Sequence, residues 1–231
     1  MSFPSPNFGA RRGGVRPSLV VLHYTAMASC AAARARLCDA QAEVSAHWLI
    51  SETGEAEALV PEEARAWHAG AGHWRGLTDV NSHSIGIELA NRGDHPFPEP
   101  QMRALEDLLR GVMRRWSIPR HGVIAHSDIA PLRKSDPGAR FDWRRLALGG
   151  LSIWPEIGEP RTVGAPRLVD PARFRALATL VGYDPDLPEE ALLRAFRLRF
   201  RPWAEGPCSA ADLGRMAEVA RLSVDGAGAG A

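Results

Sequence analysis

The chain has 231 residues, 28 Lys and Arg against 27 Asp and Glu, a formal net charge of +1, and 45% hydrophobic residues. Near-neutrality excludes the cationic footprint of a nucleic-acid binder or of a polybasic membrane-surface protein, and the apolar content suits a globular chain that buries most of its surface. Of the 28 cations, 27 are arginine and one is lysine, Lys134.

Cys30, Cys38 and Cys208 form no CxxC pair. They read as small buried hydrophobes in a reducing compartment, not as a disulfide framework or structural zinc site. No stretch approaches the ~20 apolar residues of a membrane span. Residues 1–14 lack the apolar run of a secretory signal, so a cytoplasmic location is expected, with the periplasm or cell envelope as the alternative. Nothing in the pattern calls for an obligate oligomer, and a monomer is expected.

In chain order, Leu19 to Leu22 is an apolar, β-branched run that predicts a buried strand ending on His23. Residues 28–40 are rich in Ala, Arg and Leu and predict a helix. Val44 to Ile50 predicts a strand with Ser45, His47 and Leu49 on one face, Ser51 to Gly54 a turn, and Ala58 to Val60 a returning strand. Residues 67–82, rich in Gly, His and Trp, predict a long irregular loop. A second buried strand is expected over Ser84 to Leu89. Met102, Leu105, Leu108, Leu109, Val112 and Met113 fall at helical spacing within Pro98 to Trp116, and Gly122 to His126 predicts another strand. Strands separated by helices indicate an α/β class with a central mixed sheet flanked by helices. Four prolines between 155 and 171 predict a linker over 156–170. Beyond it, 171–182, 188–200 and 209–222 predict three short helices, and 226–231 a frayed tail.

All eight histidines lie between residues 23 and 126, so metal or acid–base chemistry belongs to the first 155 residues. His23 and His126 close predicted strands, at the rim of a sheet where substrates bind. With Asp136 they make a two-imidazole, one-carboxylate set that suits zinc with its fourth position open. Spacing alone leaves Asp128, two residues after His126, as a rival third ligand.

Five motifs in order carry a resemblance: His23-Tyr24-Thr25-Ala26, Trp67-His68-Ala69-Gly70, Asn81 with Ser84 to Leu89, His126-Ser127-Asp128, and Lys134-Ser135-Asp136-Pro137-Gly138. Together, over roughly residues 5–155, they resemble the type-2 N-acetylmuramoyl-L-alanine amidases. The resemblance implies that His23, His126 and Asp136 bind zinc and that Glu88 and Lys134 are the catalytic pair. It implies hydrolysis of the amide joining N-acetylmuramic acid, including its 1,6-anhydro form, to L-alanine, in peptidoglycan or its turnover fragments. In those roles Glu88 would carry the proton from water to the leaving amine. Lys134 would offset charge on the developing oxyanion, where a compact ammonium differs from a planar guanidinium. Trp67, His68 and Asn81 resemble substrate-cleft positions, and Arg75 is a candidate clamp for a stem-peptide carboxylate. The alternative, a peptidoglycan-recognition protein that does not cleave, fits poorly with a complete ligand set.

Phe174 to Leu177, Val181-Gly182-Tyr183 and Leu192 to Arg201 are similar to the three-helix peptidoglycan-binding domain. The expected organisation is a zinc amidase domain over 1–155, the linker, a three-helix domain over 171–225, and the tail. The opposing reading of the helices is a cap that packs on the first domain.

Overall fold

A computed structural model describes residues 4–156 and 169–225. Its elements are β1 (Phe8–Gly9), β2 (Leu19–Tyr24), α1 (Cys30–Leu37), β3 (Trp48–Ile50), β4 (Ala56–Ala58), β5 (Arg65–Ala66), α2 (Val80–His83), β6 (Ser84–Leu89), α3 (Glu99–Trp116), β7 (Val123–Ala125), α4 (His126–Ile129), α5 (Trp143–Leu148), α6 (Pro171–Val181), α7 (Glu189–Phe200) and α8 (Ala210–Asp225). Five strands form one sheet in the order β4-β3-β6-β2-β7. β3, β6, β2 and β7 run parallel, and the edge strand β4 pairs antiparallel with β3. The expected mixed sheet is therefore present.

β2 and β6 are apolar without alternation because both faces of the sheet are covered. Val20, Leu22, Ile85, Ile87 and Leu89 point to one face, where α3 lays Met102, Leu105, Leu109 and Val112 against them. Leu19, Val21 and Ile124 point to the other, into a single cluster with Phe174, Ala178, Phe196, Phe200, Met216 and Val219. The C-terminal helices thus supply the second layer over the sheet and share a core with it. Most of the predicted linker and the whole predicted tail lie outside the described residues.

Several boundaries differ from the sequence reading. β3 begins only at Trp48, because the His47 carbonyl takes the amides of both Leu59 (2.8 Å) and Val60 (3.4 Å), so this corner bulges where a ladder was expected. The returning strand is Ala56–Ala58, with Leu59 and Val60 buried just beyond it. Two short elements, β5 and α2, lie in the region read as a loop from 67 or just before it. His126 opens α4 and does not end the strand. Among the described residues, no helix is long and apolar enough to cross a membrane.

Candidate metal centre and active-site cleft

Three buried side chains meet at the carboxyl end of the parallel strands. His23 comes from the end of β2, His126 from the first residue after β7, and Asp136 from the loop that follows α4; they are 1%, 3% and 6% exposed. His23 Nδ1 and His126 Nδ1 are 2.8 Å apart, and Asp136 Oδ2 lies 3.0 Å from the first and 2.9 Å from the second. Among the described residues this is the one group of three His, Cys, Asp or Glu side chains able to hold a metal ion.

The tautomers follow from the partners on the far side of each ring. His126 Nε2 lies 3.1 Å from the Ala69 carbonyl, which only accepts, so Nε2 carries the proton and Nδ1 is bare. For His23 the inference runs through a relay. The Ser84 hydroxyl donates to the Val80 carbonyl at 2.6 Å, so its oxygen accepts from His68 Nε2 at 3.2 Å. His68 Nδ1 is then bare and accepts from His23 Nε2 at 3.0 Å. His23 Nδ1 is left without a proton. Burial, aided by the neighbouring His126, lowers the His23 pKa to about 4, and burial with His23 drives His68 well below its usual range. Two bare nitrogens and a carboxylate oxygen in mutual contact repel one another unless a cation lies between them. The donor set suits zinc, and the 2.8–3.0 Å separations need to open by only a few tenths of an ångström to reach the edge of about 3.3 Å in a tetrahedral N/O site with ~2.0–2.1 Å bonds.

Glu88 stands directly beside His23 in the β2–β6 register. Its Oε2 is buried with no hydrogen-bond partner. Burial first, and then the charge of Asp136, push its pKa up to about 8, with Lys134 pulling the other way. A carboxyl held this way takes up and gives back a proton near neutral pH. Lys134 is exposed on the loop two residues before Asp136, and its side chain lines the same cleft of about 710 Å³ as His23, Trp67 and Glu88. A larger groove, about 1050 Å³, lies elsewhere between Trp143, Trp154 and Arg215, and contains none of these groups.

The remaining expected site residues divide. Trp67 lines the cleft; its backbone amide is held by the Ser45 hydroxyl at 2.8 Å. His68 reaches the metal group through His23, as above. Asn81 does not face the cleft: its Oδ1 accepts the amides of His68 (3.1 Å) and Ala69 (2.8 Å), folding the loop that carries them. Arg75 is a correction. It is exposed, does not line the cleft, and turns its guanidinium to the carbonyls of Val181 and Ser223 on the C-terminal helices, away from the position a carboxylate clamp would need. Asp128, the rival ligand, is also excluded. Its carboxylate points away from the metal group and is taken by Ala125 N, Tyr183 Oη and Arg199 Nη1.

Two residues were not singled out from the sequence. The Arg133 guanidinium donates to the carbonyls of Ala69 and Ala71, tying the Lys134 loop to the loop after Trp67. Tyr24 Oη is 3.1 Å from Ser135 Oγ, a second brace on that loop. The signals were their places in the chain: Arg133 beside the lone lysine, and Tyr24 within the motif that opens on His23.

Comparison with known proteins gives a consistent picture. The sequence profile of the N-acetylmuramoyl-L-alanine amidase family matches residues 13–139. The amidase AmiD of Escherichia coli K12 is 39% identical over 212 residues, covering 81% of this chain and 76% of AmiD. A solved complex of E. coli AmiD with anhydro-N-acetylmuramic acid-L-Ala-D-γ-Glu-L-Lys superposes with a TM-score of 0.80 at 35% identity, over 92% of each chain. AmpDh3 of Pseudomonas aeruginosa in complex with anhydromuramic pentapeptide gives a TM-score of 0.74 at 30% identity, over 90% of this chain and 91% of that one.

Proposed function

The chain belongs to the N-acetylmuramoyl-L-alanine amidase family, and from that premise we propose that it cleaves the amide between N-acetylmuramic acid and L-alanine with zinc held by His23, His126 and Asp136. The observation that carries this reading is the convergence of the two bare Nδ1 atoms and the Asp136 oxygen beside the unpartnered Glu88 carboxyl. When bound, zinc supplies Lewis acidity, which brings a water pKa toward ~7 and polarises a carbonyl.

The protein's own groups do the rest. Glu88 accepts the proton of the attacking water and passes it to the departing L-alanine nitrogen, a task suited to a carboxyl titrating near about 8. The Lys134 ammonium, exposed in the cleft lining, offsets the negative charge that grows on the carbonyl oxygen. Trp67 offers an aromatic face at the cleft edge for the sugar ring. The anhydromuramyl peptides in the two related complexes support soluble 1,6-anhydro fragments as substrates.

Incubating the purified protein with an anhydro-muramyl peptide and with intact sacculi, and following free stem peptide by mass spectrometry, tests both parts. The expected result is peptide release from the fragment that stops on chelation and returns with zinc. Chelator-resistant cleavage, or full activity in Glu88→Ala, would overturn the assignment.

A further inference from the structure

Tyr183 and Arg199 lie outside the residues that the family profile matches, yet both reach the turn that carries His126. The Asp128 carboxylate is their meeting point and is 1% exposed. Its Oδ1 accepts the Tyr183 hydroxyl at 2.7 Å, and its Oδ2 accepts Arg199 Nη1 at 2.6 Å. The same Oδ2 accepts the backbone amide of Ala125 at 2.9 Å, the residue immediately before His126. Arg199 Nη2 extends the brace by donating to the Val123 carbonyl (2.8 Å) and to Ser152 Oγ (3.2 Å). The guanidinium is stacked 4.2 Å from the Trp143 ring centre and 4.8 Å from that of Phe200, and the Tyr183 ring meets Trp74 edge-on at 5.1 Å. Asp128, Tyr183 and Arg199 are all buried.

A buried ion pair of this kind is a poor source of net stability, because desolvation cancels most of its attraction. What it does supply is geometry. The planar guanidinium spans the Asp128 carboxylate with Nη1 and the Val123 carbonyl with Nη2, and so ties the backbone on both sides of His126. The next amide, Ser127 N, donates to the Asp136 carbonyl at 3.0 Å, so the backbone of a second proposed ligand is set by the same turn.

We propose that Tyr183 and Arg199, supplied by the C-terminal helical layer, are positioning residues that hold His126, and through Ser127 Asp136, in the metal-binding arrangement by clamping Asp128. The inference rests on the reading of His126 and Asp136 as metal ligands. It gives the C-terminal layer a part in metal binding that is separate from any contact with glycan.

The test is zinc affinity, measured by competition with a chromophoric chelator, alongside kcat, KM and the thermal midpoint of the metal-free protein. Tyr183→Phe removes one hydroxyl and keeps the ring; Arg199→Lys keeps the charge and loses the fork. Each is expected to weaken zinc binding about three- to tenfold, below the 10–100-fold typical of groups that touch a ligand directly, and to lower kcat with KM unchanged. In an Asp128→Asn background the Tyr183→Phe effect on zinc should shrink, since the two changes act through one carboxylate. Variants with unchanged zinc affinity and only a lower metal-free midpoint would overturn the proposal and leave the zinc amidase reading standing. If Arg199→Lys does not fold, Tyr183→Phe alone decides. A wild-type protein that bound no zinc would instead remove the reading on which the proposal rests.

Discussion

Glu88 and His23 are neighbours in register, and burial moves their protonation in opposite senses. Glu88 has its folded pKa raised to about 8, so its contribution to stability is complete below its unfolded value and is lost as pH rises through about 8. His23 is lowered to about 4, so its contribution is present above its unfolded value and is lost as pH falls through about 4. Denaturant titrations of the chelated protein should therefore show wild type losing stability relative to Glu88→Gln on going from about pH 6 to 8, by at most about tenfold in the unfolding constant per pH unit; parallel curves would mean that Glu88 is already ionised. With zinc present, the same variant should retain metal and lose on the order of 10²–10⁴-fold in kcat, the usual worth of a positioned general base. Lys134→Arg keeps a positive charge but spreads it over a planar fork. A fall of about tenfold or more in kcat at unchanged zinc content is expected, bounded above by the ~10²–10³ that follows removal of one oxyanion donor; wild-type turnover would show that any cation suffices there. The histidines and the lone lysine stand out locally, but the roles expected for Glu88, Lys134 and the three ligands came from the resemblance carried by the five motifs. Spacing alone leaves Asp128 and Asp136 as rivals, because what removes Asp128 is its capture by Arg199 and Tyr183, which arrive from another layer of the fold.

Among the elements, the strands were readable and the loop after Ala66 was not, for one physical reason. β2, β6 and α3 advertise themselves by apolar runs and spacing. The segment from Trp67 to Asn81 is shaped by side chains bonding to backbone, chiefly Asn81 to the amides of His68 and Ala69, and such bonds leave no periodic pattern. Gly86 in β6 belongs to the same construction. The imidazole of His68 lies flat against it: a Cβ added there would fall 2.4 Å from His68 Cγ and 2.7 Å from Nδ1. Only a glycine lets β6 accept the ring that fixes the His23 tautomer. Gly86→Ala is expected to push His68 off its partners, destabilise the metal-free protein by about 1–3 kcal/mol as overpacked cores do, and weaken zinc binding together with stability. A variant with normal zinc affinity and normal denaturant midpoint would mean that the ring can move without disturbing His23.

For the molecule as a whole, the sequence suggested a catalytic domain, a linker and a separate helical module, and the prolines near residue 160 do mark a break in composition. The packing argues for a tighter arrangement. Leu19, Val21, Trp74, Ile124, Ile129 and Ile153 of the first part share one cluster with Phe174, Val181, Phe196 and Phe200 of the last. Two more ties reinforce it: Arg75 bonds to carbonyls on both α6 and α8, and Arg194 of α7 donates to Pro131 O at 2.8 Å. Such coupling is invisible in a sequence, because each helix is amphipathic whether it buries its face against its own bundle or against a sheet. Removing residues after 156 would return those first-part side chains to water. At roughly 1.5–3 kcal/mol for each large apolar side chain fully exposed, losing even half of that burial costs about 5–9 kcal/mol, comparable to the ~5–15 kcal/mol by which a domain is stable. It would also leave the Asp128 carboxylate without Tyr183 and Arg199. A chain ending at residue 156 is therefore expected to be aggregation-prone or partly folded, with zinc affinity and anhydro-muropeptide cleavage both reduced at least tenfold. Solubility, zinc titration and peptide release on the truncated and full chains measure this directly. A soluble truncated protein with full-chain zinc affinity and turnover would show that the first 156 residues are self-sufficient and that the shared core is dispensable.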